Sequence, residues 1–231
     1  MSAQTTISGP RAVLAVLRKD LRLELRSFEL LPAMGLLALG TMIVLRFALD
    51  QETVEGDLAA GSLLVPLLFA SLLGISRLFA GEERDAGIQQ YLLSPAPAGA
   101  LLAAKVLGLT AVLVALEIVL VPAFGLLLLG PELLPVLPEL VLVLLLLDLT
   151  LATLGGIVAG IAIGARSREL IVPILVVPLA IPALIAAQQA LAPVLEPGAE
   201  ALAWRWPAVL AIYAVVLALV GSVVGEYLVE D

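Results

Sequence analysis

Six times along this chain the polar sequence gives way to an apolar run long enough to cross a lipid bilayer. The runs lie at roughly 30–49, 62–80, 99–129, 137–164, 170–192 and 206–228. An α-helix rises about 1.5 Å per residue, so about 20 apolar residues cover a hydrocarbon core about 30 Å thick. Inside that core every backbone N–H and C=O must find its partner within the protein, and for single runs of this length only a helix provides that. The expected fold is therefore all-α, a polytopic membrane protein with six transmembrane helices in a single transmembrane domain over 1–231. The composition agrees. Of the residues, 62% are hydrophobic and 14% charged, against about half and a quarter in a soluble domain. The spans consume most of the chain and leave no room for a soluble domain.

The third and fourth runs exceed what a bilayer requires, so they tilt, kink or project beyond it. Pro122 marks a kink in the third. The fifth, LIVPILVVPLAIPALIAAQQ, carries Pro173, Pro178 and Pro182. Carbonyls freed by these prolines have to be satisfied by neighbouring helices.

Orientation follows from the basic residues, which favour the cytoplasmic side. Ten of the twelve precede the first run or flank the second-to-third and fourth-to-fifth connectors; only Arg46 and Arg205 fall near the other side. This arrangement places both termini in the cytoplasm. The opposite loops are acidic, with Asp50, Glu52, Glu55 and Asp57 in the first. The N-terminus is read as uncleaved, because charge persists to Glu29 and the first apolar run is of spanning length.

The chain contains neither cysteine nor histidine. Disulfides and thiolate metal sites are excluded, and so are the commonest general base and the commonest haem ligand. No metal site is expected. The only lysines are Lys19 and Lys105, and neither follows a glycine, so no phosphate-binding G-x-x-x-x-G-K-[ST] loop is present. The chain is not expected to be an enzyme. If it uses ATP, a separate subunit binds it.

Two polar stretches stand out. In RAVLAVLRKDLRLELRSFEL, residues 11–29 form an amphipathic helix: Leu14, Leu17, Leu21, Leu25 and Phe28 share one arc, and Arg11, Arg18, Arg22 and Arg26 another. Such a helix lies in the membrane interface, either as a simple ramp into the first span or as a brace for a cytoplasmic partner. In GEERDAGIQQYLLSPAP, the segment from Glu82 to Leu93 can form three helical turns, with acids in the first turn and Pro95 and Pro97 ending it. Ile88, Tyr91 and Leu92 then share a face. The stretch is either a solvated cytoplasmic loop or a short helix that docks in a groove of a soluble partner.

These features together resemble an ABC-2-type exporter permease: an interfacial helix, then E-x-x-x-G-x-x-x-x-L-L-x-x-P, then a basic residue opening the third span. RLFAGEERDAGIQQYLLSPAPAGALLAAKVLG and ILVVPLAIPALIAAQQA are more narrowly similar to the haem exporter protein B family, the permeases of cytochrome c maturation. Ile88 stands where related permeases often carry a small polar residue.

The resemblance implies a membrane permease subunit of an ABC transporter for haem export or haem-chaperone release in c-type cytochrome biogenesis. The implied partners are an ABC ATPase subunit carrying ATP and Mg, a second copy of the chain, a haem-handling membrane subunit and a periplasmic haem chaperone. The bilayer surrounds the complex, and nucleic acid has no place in it. Glu82, Glu83, Arg84, Asp85, Gly87, Ile88, Tyr91 and Leu92 would form the ATPase-coupling helix. No cofactor is expected on this chain. Haem would be cargo of the complex, since axial ligation here would need Met34, Met42 or a tyrosine. Two other readings stay open: an ABC-2 permease for a lipid or drug, and a proton-coupled secondary carrier.

Two acids fall inside the spans. Glu117 lies 12 residues past Lys105, ~18 Å along the third helix, and Asp148 lies 11 residues past Leu137, ~16 Å from the other side. Both reach the midplane on consecutive helices, where two ionised carboxylates are costly. They form either a functional polar patch or interhelical hydrogen bonds to Thr110, Thr150 or Thr153. Gly156, Gly160 and Gly164 form a small-residue stripe that permits close helix approach, within one subunit or across a dimer seam.

Overall fold

The computed structural model describes residues 9–51, 53–79, 98–129, 133–162, 168–198 and 202–230, with side chains throughout except at 98, 168, 169 and 224–230. Every regular element among the described residues is helical. Helix α1 covers Gly9–Ser27, α2 Leu30–Ala48 and α3 Gly56–Ser76. Helix α4 covers Ala98–Phe124 and widens into a π-helical turn over Gly125–Leu129. Helix α5 covers Leu133–Ile161, α6 Arg168–Leu191 and α7 Arg205–Glu230, with a 3₁₀ turn at Pro193–Leu195 between the last two. Six of the described helices, α2 to α7, are long and apolar enough to cross a membrane. The chain is an all-α, multi-pass membrane protein.

Helix α5 is the centre of the bundle and packs on α3, α4, α6 and α7. Every residue from Thr150 to Gly160 is buried. The sequence allows this because Ala152, Gly155, Gly156, Ala159 and Gly160 let neighbouring helices come close on several sides. Gly156 faces Leu102 and Val106 of α4, and Gly155 faces Ile75 at the end of α3. Of the expected stripe, Gly156 packs within the subunit, and Gly164 lies outside the described residues. Helix α2 sits at the rim against α3 and α4 and turns Leu36, Val44 and Phe47 outward.

Helix α3 starts at Gly56, ahead of the expected start at 62, and ends at Ser76. Asp57 explains the early start, because a carboxylate in the first turn is favoured by the helix dipole. Near Pro122 the helical ladder is irregular: the π-helical turn follows three residues on, and the Leu128 carbonyl there accepts the Val54 N–H at 2.9 Å. On the proline-rich helix α6, the Tyr213 hydroxyl of α7 donates to the Leu179 carbonyl at 2.7 Å. Leu179 is not one of the residues whose carbonyls the prolines free, which are Glu169, Ile174 and Pro178.

The expected apolar arc of α1 is split. Leu17 lies against Gly108 of α4, while Leu14, Leu25 and Phe28 are exposed. What turns the helix is its acidic residues, which face the bundle. Phe28 adopts a left-handed conformation (φ +48°) that breaks the chain between α1 and α2, and Glu24 bridges the break. Its Oε1 accepts the backbone N–H of Leu30 at 3.1 Å and of Leu31 at 2.9 Å, two of the donors a helix start leaves unpaired. Glu24→Ala is therefore expected to lower stability by about 1 kcal/mol, as loss of a cap does. Glu29→Ala should be neutral in the same denaturation assay, since Glu29 makes no side-chain cap bond.

Candidate functional site

Glu82, Glu83, Arg84, Asp85, Gly87, Ile88, Tyr91 and Leu92 lie outside the described residues. The structure describes the frame on either side of them. Phe79, just beyond the end of α3, is 1% exposed, and Lys105, two turns into α4, is 5% exposed. A lysine removed from solvent this far needs charge and dipole partners. Its Nζ is 2.8 Å from Asp20 Oδ2 of α1 and 5.6 Å from the centroid of the Phe79 ring, within cation–π range. Asp20 Oδ1 also takes Lys19 Nζ at 3.2 Å. One ammonium group thus joins α1, the end of α3 and the start of α4, on either side of residues 80–97 in the sequence. Arg18, Arg22 and Arg26 are all exposed on the opposite side of α1.

Deeper in the bundle, Asp148 of α5 is completely buried and Glu117 of α4 nearly so. Their carboxyl groups are neighbours, close enough to interact directly. The expected threonine bonds to these acids are not made. The Thr110 hydroxyl donates to the Val106 carbonyl at 2.9 Å, Thr150 to Leu146 at 2.6 Å and Thr153 to Leu149 at 2.7 Å. A hydroxyl has one proton to donate, and here the carbonyl one turn back on the same helix takes it.

The thioethers considered as iron ligands, Met34 and Met42, are fully buried in the core, with Met34 packed against Gly74. The Tyr213 hydroxyl is already bonded to α6. Sequence reasoning passed over Asp20 and Glu24 and took Lys105 only as a basic residue at a span's start. The available signal was two acids four apart, hence on one face, in an otherwise basic helix.

A model of the CcmB protein family matches residues 11–225. The chain is similar to Heme exporter protein B of Paracoccus denitrificans, 34% identical over 177 residues, which is 74% of this chain and 78% of that protein. It is also similar to Heme exporter protein B of Pseudomonas aeruginosa, 36% identical over 140 residues, or 58% of this chain. That second match spans 59% of the Pseudomonas protein's own length. With a family match that runs through all six candidate membrane helices, this chain belongs to the CcmB protein family.

Proposed function

We propose that this chain is the membrane permease subunit of an ABC transporter complex for haem export or haem-chaperone release in c-type cytochrome biogenesis. The observation that carries the reading is the family match over residues 11–225, and its cargo comes from the relatives named Heme exporter protein B. ATP is hydrolysed on a separate subunit that seats on the stretch from Glu82 to Leu92. The permease pairs with a second copy of itself and works with a haem-handling membrane subunit and a periplasmic chaperone. The basic residues support an inner-membrane orientation with both termini in the cytoplasm.

The junction of Asp20, Lys105 and Phe79 supports the docking part of this reading. Phe79 is the last described residue before the 80–97 segment, and Lys105 links its ring to α1 and α4. The exposed Leu14, Leu25 and Phe28 beside exposed Arg18, Arg22 and Arg26 suit a helix lying in the membrane interface.

The test is complementation of a bacterium that lacks its own haem exporter B. Expression of this chain together with its cognate ATPase and haem-handling subunits should restore haem-stained c-type cytochromes. Correct membrane insertion of all subunits with no c-type cytochrome would contradict the assignment.

A further inference from the structure

Two buried carboxyl groups of the bundle have no part in the docking frame. Asp148 is 0% exposed and Glu117 7%. Apart from each other, neither oxygen of Asp148 nor Oε1 of Glu117 has a hydrogen-bond partner among the described residues. Buried polar atoms are normally paired, and the pairing left to these two carboxyl groups is with each other. The nearby threonine hydroxyls are committed to their own helices, and the Tyr213 hydroxyl to the Leu179 carbonyl.

Among the described residues no cation answers the two acids. Around them the charged groups with described side chains are Arg46 on α2, Asp57 on α3, Lys105 on α4, Glu139 on α5 and Arg205 on α7. All lie toward helix ends. None acts on either carboxyl, whose described charged neighbour is the other. Lys105 is engaged by Asp20 of α1.

Two carboxyl groups that face each other are held together by a small positive charge between their oxygens. A metal ion wants more: Ca²⁺ takes six to eight oxygens and Mg²⁺ six, and among the described residues no group of three or more candidate ligands exists. A proton needs two oxygens. Placed between the carboxyl groups, it turns like-charge repulsion into a hydrogen bond from a carboxylic acid to a carboxylate.

We propose that Glu117 and Asp148 form an intramembrane proton-binding site, holding one exchangeable proton between a carboxyl group of α4 and one of α5. The proton comes from water and returns to it, and no other bond forms or breaks. The site does not depend on what the permease carries, so its failure would leave the transport assignment untouched.

The experiment is infrared difference spectroscopy on the full-length permease in lipid nanodiscs, in H₂O and D₂O. The wild type should show the C=O stretch of a protonated carboxylic acid at neutral pH, shifted on deuteration and missing from the Glu117→Gln/Asp148→Asn double variant. The amides keep shape and hydrogen-bonding capacity. If the double variant does not insert, each single variant is compared with the wild type, and a changed or missing band in either supports the site. Superimposable carboxylic-acid regions in wild type and variants, at every pH where the wild type is folded, would overturn it. So would carboxylate bands that shift between sodium, potassium and lithium salts with no acid stretch present, the signature of a metal ion in the proton's place.

Discussion

Asp20→Leu should be among the most destabilising single substitutions outside the apolar core. Removing this carboxylate leaves the Lys105 ammonium, 5% exposed, without the anion that sits 2.8 Å from it. Breaking a buried pair from one side costs about 3–5 kcal/mol. The loss here should fall near the lower end, because the Asp20 side chain retains 20% of its exposure and the Phe79 ring stays in place. The cost arises from burying the ammonium without this carboxylate, not from a large net gain in the intact pair. It follows that Asp20→Leu/Lys105→Met, which removes both charges, should recover most of the stability lost in the single variant. Denaturant midpoints of the two variants in the same detergent decide the matter. Equal losses in single and double variants would mean that Lys105 is held chiefly by other groups.

Gly155→Ala should destabilise the bundle by about 1–3 kcal/mol, the usual cost of forcing a methyl into a packed interior. A β-carbon there would come within 2.6 Å of Ile75 Cδ1 and nearer still to Cγ1. Ile75 is fully buried and β-branched, so its rotamer has little room to move. This outweighs the gain of up to about 1 kcal/mol from alanine's better helix propensity. Gly61→Ala in α3, with nothing within 4 Å of the new carbon, should show that gain alone and stabilise. Ile75→Ala added to Gly155→Ala should relieve the clash. A stabilising Gly155→Ala would show that α3 and α5 separate more easily than their contact suggests.

Hydropathy exposed the architecture because each span must satisfy its backbone alone, which writes the helix into a continuous apolar run. Counting residues from the ends of the third and fourth spans was enough to bring Glu117 and Asp148 to one depth, and the bundle sets them side by side. The Thr110, Thr150 and Thr153 bonds were misread because a hydroxyl in a helix can turn to its own carbonyl as readily as to a neighbour, and spacing does not distinguish the two. Gly155 was missed for a related reason. It lies one residue, about 100°, from the Gly156 stripe and faces a different helix. Along α1 the apolar arc was legible, but the side turned to the bundle is decided by Asp20 and Glu24, whose partners lie on other helices. Long-range pairing of that kind leaves no mark in local periodicity.

The permease reading rests on a partner ATPase that seats on Glu82 to Leu92, and affinity capture of that subunit on the tagged full-length chain tests it most directly. Wild-type protein should retain the ATPase and support its ATP hydrolysis. Tyr91→Ala should lower retention by about 2 kcal/mol or more if the ring is a central anchor. Gly87→Leu should block close backbone approach and abolish retention with membrane insertion intact. Single charge reversals at Glu82, Glu83, Arg84 or Asp85 should weaken capture only modestly, since an exposed rim pair is worth about 0.2–1 kcal/mol. Wild-type retention by both Tyr91→Ala and Gly87→Leu would place the docking surface elsewhere, and a wild type that captures no ATPase would contradict the permease assignment itself.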